Sequence, residues 1–514
     1  MPPSETELKL EIDPKALRTL QGHPLIRRIL RSGPRTHRMQ SVYFDTADRA
    51  LHRQGMELRV RRTEQGTGSV QTLKVATGKG AYQRLEWEVE VPGGQTDFTE
   101  LFARVASDLR SGFLGKLRGA GVSPVFHTEV RRTSWQLGEG EWEVEAALDR
   151  GSIVAGPRRE PLFELELELK RGGADHLLAL ALELLEAVPF RLLWASKSIR
   201  GYQLASGVHP EPPRWRPPAP GPDAGLEDVL QGVGHACREQ LLANQYYLRV
   251  TDEAEAIHQL RVGARRLRSA LRLLRPVLDP ALTEPVEEDL RWLLAELGPV
   301  RDLHVLLSEI IRPVRQARPG DRDLERLHLE LGKRLAMRTD HAVRAVLSSR
   351  FTRLILRIGA WLEGQMLAAG ETGEKASSIG GKAFASEALH RLDGRVRREG
   401  KKLETLPDAD RHRLRIRVKR LRYAADFLAP LFPEARGRKG WLRSIRAVQD
   451  RLGELQDLTM AEALLSDLPP GVRDPVGHRV AGVVIGWHLA HGEERMAAAT
   501  QAFREYRKRR RFWR

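Results

Sequence analysis

Glu5, Glu7 and Lys9 stand at alternate positions, interleaved with Thr6, Leu8, Leu10 and further on Ile12. On a strand, alternate side chains share a face, and Glu5 and Glu7 lie about two strand rises apart. Carboxylates at that spacing can share a hard divalent cation, and an ammonium beside them can hold a phosphate oxygen. Glu164, Glu166 and Glu168, followed by Lys170, repeat the arrangement. A second chemistry is written in cations alone. His258, Arg261, Arg265, Arg268, Arg272 and Arg275 step by intervals of three and four residues along HQLRVGARRLRSALRLLR. On a helix they fall within an arc of about 100°, beside an apolar stripe of Leu260, Ala264, Leu267, Leu271 and Leu274. His412, Arg415, Lys419 and Arg422 repeat the same offsets, with Leu414, Val418, Leu421 and Ala425 as the stripe. Such faces suit a polyanion.

The elements that must position these residues differ between the two halves. Through residue 206, charged and apolar residues alternate: Glu57, Arg59 and Arg61 with Leu58 and Val60, Arg84, Glu86, Glu88 and Glu90 with Leu85, Trp87, Val89 and Val91, and Glu141, Glu143 and Glu145 with Trp142 and Val144. Period two over so many segments predicts a largely antiparallel sheet with one charged face. That face is either solvated or, if the sheet closes with it inward, the wall of a polar lumen. Helical patterns are few: 98–118, 174–187 and 14–30, the last interrupted near Gly22 and Pro24.

Residues 207–222 hold seven prolines in sixteen positions and read as a semi-rigid linker. Beyond it the period is 3.6 almost throughout, which predicts an all-α half. Leu297-Gly298-Pro299-Val300-Arg301-Asp302-Leu303 returns as Leu452-Gly453-Glu454-Leu455-Gln456-Asp457-Leu458 at an offset of 155, against 154 for the histidine helices. This points to two related helical bundles, about 223–369 and 382–514, packed about a pseudo-two-fold axis. Gly298 and Gly453 end a helix or permit close approach; Asp302 and Asp457 cap or pair with an arginine. Asp426 answers Arg272, so the two copies need not contribute equally. The basic tail REYRKRRRFWR is expected to fray.

Composition narrows the partners. With 41% hydrophobic and 30% charged residues, the 514-residue chain reads as a soluble globular protein of two domains, 1–206 and 223–514. No long apolar run and no basic-then-apolar leader predict a cytoplasmic protein without membrane contact. The single cysteine, Cys237, excludes an intrachain disulfide and a cysteine-based zinc cluster. Of the net charge of +17, residues 1–206 carry about +3 (30 basic against 27 acidic) and the rest about +14 (55 against 41). Nucleic acid, anionic lipid and polyphosphate all fit that excess.

Together the motifs have a family order. Glu5-Thr6-Glu7-Leu8-Lys9, Tyr43-Phe44-Asp45-Thr46, Leu58-Arg59-Val60-Arg61, Leu73-Lys74, Arg84-Leu85-Glu86, Glu164-Leu165-Glu166-Leu167-Glu168 and Ser196-Lys197-Ser198-Ile199-Arg200-Gly201-Tyr202 resemble the CYTH domain, the triphosphate tunnel metalloenzymes. The helical half, through His258, His412 and their basic neighbours, resembles the CHAD domain, a histidine-bearing helical module that binds inorganic polyphosphate. The tandem resembles the bacterial CYTH–CHAD proteins, which include inorganic triphosphatases.

The resemblance implies a two-domain α+β chain: an eight-stranded antiparallel β-barrel with flanking helices, then an all-α domain. It implies metal-dependent hydrolysis of inorganic triphosphate, with Glu5, Glu7, Glu164, Glu166 and Glu168 binding Mg²⁺ or Mn²⁺. Glu5, Glu7 and Lys9 would form the catalytic core. Arg59, Arg61, Lys74, Arg84, Arg132, Lys197 and Arg200 would grip the phosphates. Asp149 adds an acid there or makes the turn before Gly151. Polyphosphate would lie on His258, Arg261, Arg265, Arg268, Arg272, His412, Arg415, Lys419 and Arg422, with the histidines charging below about pH 6.5. Association with polyphosphate granules follows as an expectation. The rivals are an organic triphosphate such as thiamine triphosphate or a nucleotide, and a non-catalytic binder of polyphosphate or nucleic acid. Nucleic acid is disfavoured because only Tyr423 adjoins the basic faces, where base stacking would call for more aromatic rings.

Overall fold

The computed structural model describes residues 4–63, 68–76, 83–92, 98–105, 121–208, 211–215, 218, 221, 224–250, 253–364, 366 and 380–514. They group into two compact units: residues 1–212 with 245–251 and 347–364, and residues 213–244 with 252–346 and 365–514.

The first unit is built on nine antiparallel strands: β1 (Ser4–Ile12), β2 (Leu30–Asp45), β3 (Met56–Thr63), β4 (Gly68–Ala76), β5 (Gln83–Pro92), β6 (Ser123–Glu139), β7 (Trp142–Ala155), β8 (Arg158–Arg171) and β9 (Phe190–Leu192). The order β5-β4-β3-β2-β6-β7-β8-β1 returns to its start, because β1 also pairs with β5. Eight strands therefore form a ring, and β9 extends β1 on its outer end. The alternation decides which face is which. Leu8, Leu10, Leu58, Val60, Leu73, Leu165 and Leu167 are buried on the outside. There they meet helices: α1 (Pro14–Gly22), α2 (Pro24–Ile29), α3 (Ala50–Arg53), α4 (Thr99–Arg104), α5 (Ala174–Ala187) and α6 (Lys197–Ser206). The charged face is the lumen, not a wet surface.

The helical expectations for this unit are met in part. The 14–30 pattern breaks where expected: His23 ends α1 and caps α2. Of the 98–118 pattern, α4 carries the start, while 106–120 lie outside the described residues.

The second unit is helical: α7 (Leu226–Tyr247), α8 (Glu253–Leu274), α9 (Pro280–Val305), α10 (Arg312–Ala317), α11 (Arg322–Val346), α13 (Gly381–Glu399), α14 (Asp408–Leu428), α15 (Arg438–Ser466), α16 (Pro475–Leu489) and α17 (Gly492–Lys508). Helix α12 (Ser349–Glu363) groups with the barrel, where its Thr352 donates to the Phe190 carbonyl at 3.1 Å. One π-helical turn, Leu306–Ile311, joins α9 to α10, where Pro313 lacks the N–H an α-helix would use. Leu260, Ala264, Leu267 and Leu271 of α8 are buried, as are Leu414, Val418, Leu421 and Ala425 of α14, so both apolar stripes face the core.

The tail corrects an expectation. Phe512 and Trp513 are buried, with Trp441 at ring-centroid distances of 5.5 and 4.9 Å. Arg511 pairs with the buried Asp393 at 2.6 Å, and Arg397 holds the Arg507 and Arg509 carbonyls. The aromatic residues among the basic ones anchor what charge alone would leave frayed.

Candidate active site and anion cavity

Strand register assembles the first site. Lys9 on β1 lies opposite Glu166 on β8, and Glu7 opposite Glu168. Asp149 on β7 lies between Arg132 on β6 and Glu164 on β8. The lumen is a cavity of about 210 Å³ walled by Glu5, Glu7, Lys9, Arg59, Arg61, Lys74, Arg132, Glu166, Glu168 and Lys197, with Asp149 among them. Asp149 is thus an internal acid in mid-strand, not a turn residue. Arg84 is on β5, opposite Glu5, but its side chain lies outside the described residues. Arg200 is set apart, bonded to Glu160 at 2.7 Å and to the Pro161 carbonyl at 3.0 Å, with Glu164 at 3.5 Å.

The acids divide into two groups. Asp149, Glu164 and Glu166 are buried and bring one carboxylate oxygen each within 4.8 Å of one another, a spacing compatible with a shared metal ion. The Lys197 ammonium stands among them, 2.7 Å from Asp149 and 2.9 Å from Glu166, and in contact with Glu164. Arg132 pairs with Asp149 at 2.7 Å and also with Glu166. Burial opposes the charge of Glu166, but Lys197, Lys9 and Arg132 outweigh it and hold the carboxyl well below the usual range. The same acids hold Lys197 well above the lysine range against its burial. Glu5, Glu7 and Glu168 form the other group. Burial and then Glu7 push Glu5 up; burial pushes Glu168 up, with Glu5 and Glu7 adding to it. Carboxylates crowded in this way are eased by a cation, and all six are hard oxygen donors that suit a divalent metal. Of the acids expected from sequence, Glu164 and Glu166 stand at shared-metal spacing, together with Asp149; among the described residues Glu5, Glu7 and Glu168 do not come within that spacing of one another.

The opposite imbalance occurs at Arg61. Arg59, then burial and Arg132, lower its guanidinium to about 10. Its Nε is buried without a hydrogen-bond partner. Arg59 has Glu86 at 3.4 Å and Glu57 at 3.8 Å, whereas Arg61 has no acidic partner within salt-bridge distance among the described residues. Excess acid at one place and excess base at another is the pattern that a metal-bound phosphate chain would complete. Glu57, Glu86, Glu88 and Glu145 also line the lumen. Sequence reading assigns them no roles, although the alternation that places Arg59 and Arg61 on one face carries the same information for them.

Two of the motifs also carry residues that position the others. Asp45 accepts from the Leu51 and His52 amides at 2.9 and 3.0 Å and from the Tyr202 hydroxyl at 2.8 Å. Ser196 caps α6 through the Ile199 amide. The Asp45 link thus ties the end of β2 to the helix that bears Lys197 and Arg200.

The second unit encloses a cavity of about 1200 Å³. His258, Arg261, Arg265 and Arg266 of α8 line it, with Arg301 and Asp302 of α9, Arg415, Lys419 and Arg422 of α14, and Asp457 of α15. Of the expected anion ligands, Arg268 and Arg272 are not on this wall. Arg268 has Arg272, Glu287 and Arg291 as its charged neighbours. His412 is exposed at the side, its Nδ1 2.5 Å from Gln456 Oε1. The paired glycines and aspartates resolve as one device used twice. Neither glycine ends a helix: Gly298 is inside α9 and Gly453 inside α15. A Cβ on Gly298 would lie 3.1 Å from Arg261 Nη1, and one on Gly453 4.0 Å from Arg415 Nη2. Arg261 then reaches Asp302 at 3.4 Å and Arg415 reaches Asp457 at 3.9 Å. Asp426 pairs with Arg422 at 3.0 Å.

Crowded cations set the electrostatics. Burial, then Arg415 and Arg265, push Lys419 down to about 7; burial, then Arg265, lower Arg261 to about 10. Burial and Arg301 push His258 down to about 4, so it stays neutral far below pH 6.5, contrary to the sequence expectation.

Comparison with known proteins divides the chain in sequence order, so that α12, which groups with the barrel, falls within the second match. The CYTH domain profile matches residues 3–202 and the CHAD domain profile residues 233–466. An inorganic triphosphatase of Haemophilus influenzae is 28% identical over 210 residues, 39% of this chain and 55% of the relative, so the match spans little more than half of that protein. An uncharacterized protein of Mycobacterium tuberculosis is 27% identical over 458 residues, 82% of this chain and 80% of its own. The crystal structure of the CHAD domain from the plant Ricinus communis, 28% identical, covers 59% of this chain and 98% of its own, with a TM-score of 0.49.

Proposed function

The chain carries a CYTH domain at residues 3–202 followed by a CHAD domain at 233–466, and from that premise we propose that it hydrolyses inorganic triphosphate in the barrel and binds inorganic polyphosphate in the helical cavity. The observation that carries the first part is the lumen, where buried carboxylates and buried cations face one another across a space of about 210 Å³. Phosphoanhydride hydrolysis asks for positioning and charge neutralisation rather than a covalent intermediate. Arg59, Arg61, Lys74, Arg132 and Lys197 supply the positive wall, with Arg84 as a further phosphate ligand; Arg200, committed to Glu160 and the Pro161 carbonyl, supports the wall from outside through Glu164. Glu5, Glu7, Glu164, Glu166 and Glu168, with Asp149, are the residues that would hold the metal. A bound Mg²⁺ or Mn²⁺ supplies Lewis-acid polarisation of a phosphoryl oxygen. Lys9, 2.7 Å from Glu7 and 2.6 Å from Glu166, orients both carboxylates and carries a full charge toward the substrate. Tyr43 is the only aromatic ring among the described lining residues and already stacks on Phe126, which favours a bare phosphate chain over a nucleotide.

Phosphate release from tripolyphosphate with Mg²⁺ or Mn²⁺, abolished by a chelator, is the expected result. Faster turnover of ATP or thiamine triphosphate under the same conditions would replace the substrate. For the cavity, the full chain is expected to bind long-chain polyphosphate more tightly than DNA at equal salt; the reverse order would overturn that assignment.

The glycine seats give a sharper expectation. Gly298→Ala should raise thermal stability through helix propensity, by up to about 1 kcal/mol, yet weaken polyphosphate binding roughly threefold by shifting Arg261. Gly453→Ala, with more room, should give the stability gain with unchanged binding. Thermal melts and equilibrium titrations of both variants check the contrast, and equal binding losses would contradict it.

A further inference from the structure

Helices α16 and α17 lie beyond the CHAD-matched stretch, which ends at residue 466. Their contribution to the cavity is Arg495 on α17. What holds Arg495 differs from what holds Arg261, Arg415 and Arg422, which lean on acids. Its Nη2 donates to Nδ1 of His488 at 2.6 Å. His488 Nε2 donates in turn to the Ile310 carbonyl, at 2.8 Å, on the π-helical turn that also brings Glu309 and Ile310 to the cavity wall. The imidazole is 1% exposed, so both ring nitrogens are committed to these partners. A ring that accepts at Nδ1 and donates at Nε2 is the neutral tautomer. Burial disfavours its protonation most, with Arg495 and His491 adding to it, and together they outweigh the Ile310 carbonyl, which favours it.

Arg261, Arg415 and Arg422 each share charge with Asp302, Asp457 and Asp426. Arg495 has no carboxylate partner within salt-bridge distance among the described residues. A neutral imidazole fixes a guanidinium in direction without cancelling its charge, as a carboxylate would. We propose that Arg495 is an anion-binding residue of the cavity and that His488 is its positioning residue. The ligand chemistry is a chain of phosphate groups, so the inference rests on the polyphosphate reading of this cavity. It extends the binding wall onto the two helices that follow the matched domain.

The test uses the full chain and long-chain inorganic polyphosphate, titrated at several salt concentrations. Arg495→Gln removes one charge from a half-buried helix position and should weaken binding roughly tenfold at low salt, with the slope of log affinity against log salt reduced by about one. His488→Phe keeps the buried ring and loses both hydrogen bonds. It should reproduce part of the affinity loss, whereas His488→Gln, whose amide can accept from Arg495 and donate to Ile310, should restore it. Circular dichroism melts identify a variant that has failed to fold, and in that case Arg495→Gln alone decides. Unchanged affinity and salt slope in Arg495→Gln, while Arg265→Gln weakens binding, would overturn this assignment and leave the polyphosphate reading intact. A wild-type chain that does not bind polyphosphate would overturn both.

Discussion

Replacing Glu5 and Glu7 together by glutamine is expected to lower metal-dependent phosphate release from tripolyphosphate by about 10³-fold or more, with the protein still folded. Loss of a metal's charge stabilisation costs several kcal/mol at the transition state, and each 1.36 kcal/mol is about tenfold in rate. The fold should tolerate the change because each lysine that loses a partner keeps another: Lys9 retains Glu166 at 2.6 Å, and Lys74 retains Glu86 at 3.3 Å. Burial and the neighbouring Glu7 raise Glu5 in the native state, so its ionisation opposes folding as pH rises above the carboxylate range. At neutral pH the double variant should therefore melt no lower than the wild type in metal-free buffer. Mg²⁺ should raise the melting temperature of the wild type by more than that of the variant, which keeps Asp149, Glu164 and Glu166. Equal phosphate release from the two proteins would remove the enzyme reading and leave a binding protein.

Much of this site is legible in the amino-acid sequence because a strand carries its chemistry at period two. Once Glu5, Glu7 and Lys9 are known to share a face, closing the sheet can put them inside or outside but cannot separate them. Glu57, Glu86, Glu88 and Glu145 are equally on that face, yet they escape assignment because alternation identifies a face and not a role. What period two cannot supply is register across strands. The grouping of Asp149 with Glu164 and Glu166, and of Glu5 and Glu7 with Glu168, is set by how β7, β8 and β1 pair.

The helical half shows the complementary limit. An arc of about 100° puts His258, Arg261, Arg265, Arg268 and Arg272 together, yet only the first three line the cavity. Helix α8 is longer than the cavity wall it forms, and its later turns carry Arg268 toward Glu287 and Arg291. Gly298 and Asp302 stand out by their repetition, but their shared use, seating Arg261, depends on the packing of α8 against α9. Arg495 has no repeated partner in sequence and is brought to the cavity only in three dimensions.

Polyphosphate affinity is expected to be greatest below about pH 7 and to fall by up to about tenfold per pH unit above it, through Lys419. In the free protein, burial together with Arg415 and Arg265 leaves this lysine with a pKa of about 7. A phosphate chain in the cavity adds negative charge beside it and raises that value toward the ordinary lysine range. Binding above pH 7 must then take up a proton, which opposes it increasingly as protons become scarce; below pH 7 the lysine is already charged and the dependence flattens. Lys419→Arg should bind tightly with little dependence between pH 7 and 9, because a guanidinium stays charged throughout. Lys419→Met should bind weakly at pH 6 and approach the wild type at pH 9. His258, lowered to about 4, is too acidic in the free protein to produce this fall. A pH dependence that survives in Lys419→Arg and disappears in His258→Gln would transfer the effect to the histidine and sink the assignment. Calorimetry in two buffers of different ionisation enthalpy measures the proton directly, with uptake approaching one per bound chain at pH 8 as the expected result.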